Sequence, residues 1–314
     1  MNTISSRELI EHAHFSNAWE RAEHTIQRAL AGESLMLPIF GPTRVGKTEL
    51  ISTLTATYPA KVVDGVRFQQ VVRVMTPVKP SRRSLPEAVL TALGSQRYGR
   101  SNAEELTARV RDLLKIVGTR VLIFEEMQHF VENMSPTATR EAADWLKVVA
   151  EELRLTVVMV GLPISEQVLI RNEQLRDRAD SIHEFRPYSW EQPQEHQEFR
   201  RTLLGLTEAL DEAGWSVPDP HDIDFSRRVY ASCLGRVGML VKLFNTAEHL
   251  ACDQIIDSGI LLKAHAQAIG TKFFSFNPFD SLQELPDSIL VQGYAQMLRE
   301  AHMGIPKAAS QVGV

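Results

Sequence analysis

Apolar positions follow two rhythms along the chain, and they alternate. In "SNAWERAEHTIQRALAG" the residues Trp19, Ala22, Ile26 and Leu30 recur every three or four places. That spacing predicts a helix, with Ser16 as its cap and Gly32 as its stop. "SLMLPIF" then runs without a charge and predicts a buried strand. Helical spacing returns in "KTELISTLTATY", and "FQQVVRVMTP" predicts a second strand. Helices follow at "SLPEAVLTALG" and "NAEELTARVRDLLKIVG". "RVLIFEE" is a third strand with a continuous buried-type run, "TATREAADWLKVVAEELRL" a long helix, and "TVVMVGLP" a fourth strand. A short fifth strand fits "SIHEFRP". Strands that alternate with helices predict an α/β fold, a parallel five-stranded sheet with helices on both faces.

Beyond Pro187 the strand rhythm stops. From "SWEQPQEHQEFRRTLLGLTEALDEAGW" to "LLKAHAQAIG" nearly everything has helical spacing. The expected division is an α/β domain over 1–188, a small helical domain over 189–270 and a tail over 271–314. The tail opens with "TKFFSFNPFDSLQELPDS", which breaks the pattern, and continues with a short helix at "SILVQGYAQMLREAHMG". Two readings of Phe273, Phe274, Phe276 and Phe279 stand side by side. They pack on the chain's own helices, or they form a docking segment for a partner.

Composition narrows the class. The chain has 314 residues, 44% of them hydrophobic, enough for one large core or two modest ones. No apolar run approaches the roughly 20 residues that span a bilayer, so no membrane contact is expected. The N-terminus, "MNTISSRELIEHAHF", does not read as a secretion signal. Cys233 and Cys252 give no disulfide framework and no zinc spacing, and a reducing cytoplasm fits. His12 and His14 lack a further ligand nearby, so no metal site is expected there. A net charge of −5 excludes a uniformly basic surface but not a local basic face.

The candidate chemistry begins at "GPTRVGKTEL". Gly41, Gly46, Lys47 and Thr48 match G-x-x-x-x-G-K-[ST], with a strand before and a helix after. A chain of this length shows that pattern by accident roughly one time in a hundred, and the context lowers the odds further. The loop Gly41, Pro42, Thr43, Arg44, Val45, Gly46 points backbone N–H groups at the phosphates of a nucleotide, aided by the N-terminus of the next helix. Lys47 neutralises β and γ oxygens, and the Thr48 hydroxyl takes Mg²⁺. "VLIFEE" supplies two acids at the end of a buried strand. Glu125 is expected to hold the metal and Glu126 to activate the attacking water. Hydrolysis in a site of this kind often uses an arginine to stabilise transition-state charge. "NEQLRDRAD" offers Arg176 and Arg178, but spacing alone favours a solvated helix face paired with Asp177 and Asp180.

The order of these segments, with "EEMQHF", "VGLP", "NEQLRDRA" and "PYSW", resembles the TniB/TnsC-like AAA+ ATPases of transposons over about Ala18 to Ala251. The resemblance implies an AAA+ P-loop fold with a helical lid. It implies ATP bound between neighbouring subunits, rings or helical filaments on double-stranded DNA, and a link between a target-selecting protein and the transposase, reset by hydrolysis. It puts the trans-acting finger at Arg178. It puts Arg236, in "GRVG", at a sensor turn beside the γ-phosphate. Three positions depart from the pattern. The metal acid is Glu125 rather than Asp, Ala179 replaces the usual Phe after the finger, and "VVMVGL" ends without a polar sensor. Slow hydrolysis, a switch more than a motor, is the expectation.

Relatives hold the DNA backbone from loops. "TPVKPSRRS" places Lys79, Arg82 and Arg83 within five residues, with Ser81 and Ser84 as hydroxyl donors, and Arg97 and Arg100 extend the track. Phosphate contacts of this kind position a duplex without reading its sequence. A solvated charged loop is the plain alternative. His129 reads either as a relay near the γ-phosphate or as a structural residue. Two other functions compete. One is a replication-initiator or clamp-loader ATPase, expected to carry a further domain after the lid. The other is a monomeric small-molecule phosphotransferase.

Overall fold

The computed structural model describes residues 3–7, 12–95, 101–132 and 134–306. In chain order its elements are α1 (Ile4–Arg7), α2 (Ala13–Leu30), β1 (Met36–Phe40), α3 (Lys47–Thr57), β2 (Lys61–Val63), β3 (Val66–Phe68) and β4 (Val71–Met75). Then come α4 (Ser84–Ala92), α5 (Ala103–Ile116), β5 (Val121–Glu125), α6 (Pro136–Leu153), β6 (Thr156–Gly161), α7 (Glu166–Ile170), α8 (Glu173–Arg176) and β7 (His183–Glu184). The last five are α9 (Pro193–Glu212), α10 (Ile223–Cys233), α11 (Val237–Leu250), α12 (Ser258–Ala268) and α13 (Asp287–Glu300).

These elements form two compact units, one of Asn17–Gly41 and Lys47–Phe185, the other of Met1–Ser16, Pro42–Gly46 and Arg186–Val314. The first is built on a five-stranded sheet in the order β4-β5-β6-β1-β7, and every pair in it is parallel. All residues of β1, β5 and β6 are buried, as nearly continuous apolar strands covered on both faces must be, and the one charged residue among them, Glu125, closes β5. The core continues into α3 through Leu50, Ile51 and Leu54. Each such side chain is worth about 1.5–3 kcal/mol of burial, so the helix after β1 is held firmly on the sheet. Asn102 and Glu105 close a capping box at the start of α5.

The five expected strands are all present. The first long helix differs at its start. It begins at Ala13, and Ser16 lies inside it, its N–H bonded to the His12 carbonyl. The reason is that Phe15 is buried and His12 is fixed on Tyr188, Nδ1 to Oη at 2.9 Å, so the chain winds before Ser16 is reached. The antiparallel hairpin of β2 and β3 was not expected. Its signal was present in "VVDGVR", where Asp64 and Gly65 both take positive φ, as a two-residue hairpin turn demands.

The second unit is helical. Its core is gathered from Phe199, Leu203, Leu206, Val229, Leu240, Phe244 and their neighbours. The segment beyond 270 packs here too. Phe279 is buried, while Phe273, Phe274 and Phe276 lie partly buried against the same core. Glu248 accepts from the N–H groups of Ile4 and Ser5 at 2.7 and 3.0 Å, which ties α1 to α11.

Candidate functional site

In the α/β unit the site forms at the carboxyl ends of β1, β5 and β6. Gly41 leaves β1 with its N–H on the Gly161 carbonyl at 3.1 Å. A Cβ at Gly41 would meet the Phe185 carbonyl oxygen at 2.3 Å, so only glycine fits. At the other end of the loop Gly46 has φ 115°, which again favours glycine. Lys47 Nζ donates back to the Gly41 carbonyl at 2.8 Å and spans the mouth of the turn. Crowding by neighbouring atoms lowers the Lys47 ammonium to about 8, and the Glu126 carboxylate pulls it partly back up. A cation kept short of solvent is suited to a polyanion that restores its charge. Thr48 is exposed.

The two acids sit differently. Glu125 is buried at the end of β5, and Arg73 of β4 takes both of its oxygens. Nη2 of Arg73 lies 2.9 Å from Oε2, and Nη1 reaches Ser52 Oγ of α3 at 3.5 Å. The pairing follows from the register: Arg73 stands opposite Ile123, two residues short of Glu125 on the same face. Glu126 is half-buried and left-handed, with φ 55°, where the strand turns into a short 3₁₀ segment. A non-glycine residue held there marks a site where placement outweighs backbone comfort. Gln128, buried, donates through Nε2 to Glu126 Oε2 and accepts through Oε1 from the Leu162 N–H at 3.2 Å. The end of β6 therefore has a polar group after all, lent by the turn after β5. His129 turns away to Glu132, 3.3 Å from Nδ1 to Oε2.

Arg178 is exposed and pairs with Glu151 of α6, not with Asp177 or Asp180. Arg176 lies 3.6 Å from Asp177. Ala179 bridges to Met36 at the start of β1. Among the expected phosphate-backbone contacts, Lys79, Arg82 and Arg83 are exposed on the loop before α4. Arg83 is partly spent, on Glu87 at 3.0 Å and on the Ser101 carbonyl at 2.8 Å. Ser81 and Ser84 bond to each other at 3.0 Å, and Ser84 also donates to the Lys79 carbonyl, so they shape the loop. Arg97 and Arg100 lie outside the described residues.

In the helical unit the tip of the loop, Pro42–Gly46, meets the start of α11. The Gly238 N–H donates to the Arg44 carbonyl at 2.9 Å, and a Cβ at Gly238 would lie 2.7 Å from that oxygen. Gly235 has φ 71° and lies so close to Tyr188 that a Cβ would meet its carbonyl at 2.0 Å. Between these glycines Arg236 caps α11 without a side-chain bond to the helix. It is buried, bonds the Cys233 carbonyl through Nε at 3.0 Å and lies over the Phe273 ring at 5.3 Å. Its Nη2 has no partner, and burial lowers its pKa. An unpartnered guanidinium donor out of solvent is costly unless an anion completes it.

The sequence did not single out Arg73 or Gln128, and it named Phe273 only as part of the tail, not as the neighbour of Arg236. Gln128 alone carried a local signal, a polar residue two places after the acidic pair.

A family model described as "Bacterial TniB protein" matches residues 1–189. The chain belongs to the TniB family. Solved structures similar to this TniB-family chain include the ORC2 protein of Aeropyrum pernix in ADPNP–ADP complexes, 15% identical, covering 80% of this chain and 67% of that one, with a TM-score of 0.58. The ORC1 protein of Aeropyrum pernix in complex with DNA is 14% identical over 84% of this chain and 68% of that one, TM-score 0.60. Cdc6p from Pyrobaculum aerophilum is 12% identical over 98% and 87%, TM-score 0.62. At these identities the likeness is one of fold, the AAA+ ATPase fold. No match was found among curated proteins. The chain is thus an AAA+ ATPase of the TniB family, and no helix among the described residues is long and apolar enough to cross a membrane.

Proposed function

We propose that this chain is an ATP-dependent, DNA-binding regulator of transposition. It assembles with copies of itself on double-stranded DNA as a ring or filament. It links a target-selecting protein to the transposase, and hydrolysis resets the assembly. The observation that carries the reading is the loop from Gly41 to Thr48, built as a phosphate cradle in a chain of the TniB family. The loop's backbone N–H groups and Lys47 bind the β and γ phosphates, and the unpartnered Nη2 of Arg236 fits an anion.

The residues also fit a magnesium ion, with Thr48 and Glu125 as its protein partners. Bound there, the ion would supply positive charge to the nucleotide's phosphates. Glu125 serves once Arg73 yields an oxygen. Glu126 takes the proton of the attacking water at its carboxylate, and Gln128 aims that carboxylate. Arg178 leaves Glu151 to reach the neighbouring subunit's nucleotide. Lys79, Arg82 and Arg83 contact duplex phosphates, and Arg97 and Arg100 extend that contact.

Lys47→Ala and Arg178→Ala test the reading together. Lys47→Ala loses nucleotide binding and assembly at once. Arg178→Ala binds ATP as a monomer but does not hydrolyse it. Assembly on duplex that persists unchanged in Lys47→Ala would remove the nucleotide from the account. A compact monomer with full turnover would favour a phosphotransferase.

A further inference from the structure

At the end of the sheet opposite the phosphate loop lies a groove of about 580 Å³. It opens where the chain enters β4, β5 and β6, beside Gln70, Arg120 and Leu155. Leu114, Leu153, Leu155 and Phe68 form its apolar wall. Lys61, Lys115 and Arg120 stand around it, all exposed, and no carboxylate among the described residues pairs with them. Val62 and Val63 of the adjoining hairpin are 72% and 51% exposed. An apolar trough rimmed by three uncompensated cations fits an acidic segment with an apolar tip.

The helical unit carries such a segment. Leu282 is 92% exposed, the barest large apolar side chain among the described residues, with the exposed acids Asp280 and Glu284 on either side. The loop is ordered, not slack. Arg228 donates to the carbonyls of Pro278 and Asp280 at 2.7 and 2.8 Å and to that of Gln283 at 3.3 Å. Asp280 Oδ1 accepts from the Leu282 N–H at 3.0 Å. A guanidinium with three carbonyl bonds thus holds a bare leucine in one place, and a pre-set loop binds with little further loss of entropy.

We propose that loop 280–284 of one copy seats in this groove of the next. The contact joins two different surfaces of one chain, so it repeats head to tail and closes a ring or propagates a filament. It rests on the self-assembly proposed above and gives that assembly a second anchor. The groove shares an edge with the proposed finger: the last turn of α6 supplies both Leu153 in its wall and Glu151, the partner of Arg178. Seating a neighbour there disturbs the turn that holds Arg178.

The test uses the full chain with a slowly hydrolysed ATP analogue and reads mass distributions across protein concentration. Leu282→Asp, already solvent-exposed, and the pair Lys115→Glu with Arg120→Glu each raise the concentration for half-assembly about tenfold or more, since one leucine's burial and its charge match are lost. Binding of fluorescent ATP by the monomers and thermal melting stay at wild-type values. A mixture of the two variants recovers dimers, because each pair then holds one intact loop and one intact groove. Asp280→Arg with Glu284→Arg, mixed with the groove-reversed chain, recovers dimers as well. If both variants assemble like the wild type, or if the mixtures stay monomeric, the contact is wrong while the wider reading stands. If the wild type binds nucleotide and never assembles, both fall.

Discussion

Replacing Arg73 by methionine keeps an unbranched apolar stem and removes the guanidinium fork that holds Glu125. The carboxylate left behind is only 5% exposed in its side chain, whereas Arg73 is 37% exposed. Breaking a fully buried pair from one side costs about 3–5 kcal/mol. Here water reaches the arginine's side, so the cost falls to about 2 kcal/mol. Urea titration without nucleotide or metal measures it as a drop in unfolding free energy. Two further measurements identify the cause. With ATP and magnesium the loss shrinks to under ~1 kcal/mol, because Glu125 then has another cation to answer it. Adding Glu125→Gln to Arg73→Met restores part of the stability, since the buried charge itself is gone. A loss below ~0.5 kcal/mol, or one that is the same with and without magnesium and ATP, would refute the idea that Arg73 occupies the acid proposed to hold magnesium.

Gln128→Leu leaves nucleotide affinity near wild type and lowers steady-state hydrolysis about 10- to 100-fold, because Glu126 loses the donor that aims it. An equal fall in affinity would assign Gln128 to folding instead. Gly238→Ala places a Cβ 2.7 Å from the Arg44 carbonyl. It displaces the tip of the loop and weakens fluorescent ATP binding about tenfold, while Gly205→Ala, with open space at its Cβ, has no effect. Acid destabilises the helical unit through two buried histidines. Burial, aided by His14, lowers His12 from 6.5 to about 3, and burial lowers His265 to about 4. Their contribution is complete above pH ~6.5 and is lost as the pH falls toward the folded values, about 2 kcal/mol per group by pH 5. His12→Asn flattens that slope in melts recorded from pH 7 to 5.

What the sequence disclosed and what it hid divide along physical lines. The phosphate loop was legible because a close backbone approach needs glycine at Gly41 and Gly46, and no other residue satisfies that geometry. The strands were legible as nearly continuous apolar runs because both faces of β1, β5 and β6 are covered, with the single charge, Glu125, at the end of β5. The partner of Glu125 was not legible. It depends on the register of β4 against β5, which joins residues 52 positions apart. Arg236 entered as a sensor candidate only through the family resemblance carried by "GRVG". Its contact with Phe273 was hidden, because it depends on how the segment beyond 270 folds back. The hairpin at Asp64 and Gly65 was written plainly but lay between two longer apolar segments, and the run "FQQVVRVM" read as one strand where the structure makes two.

The central claim is that nucleotide in the Gly41–Thr48 loop governs assembly on a duplex. The most direct measurement is electron microscopy of the chain with double-stranded DNA, with ATP and without, at one protein concentration. The account predicts rings or filaments enclosing the duplex with ATP and their disappearance without it. Identical assemblies in both conditions, or ATP-loaded chains that remain single on DNA, would contradict it.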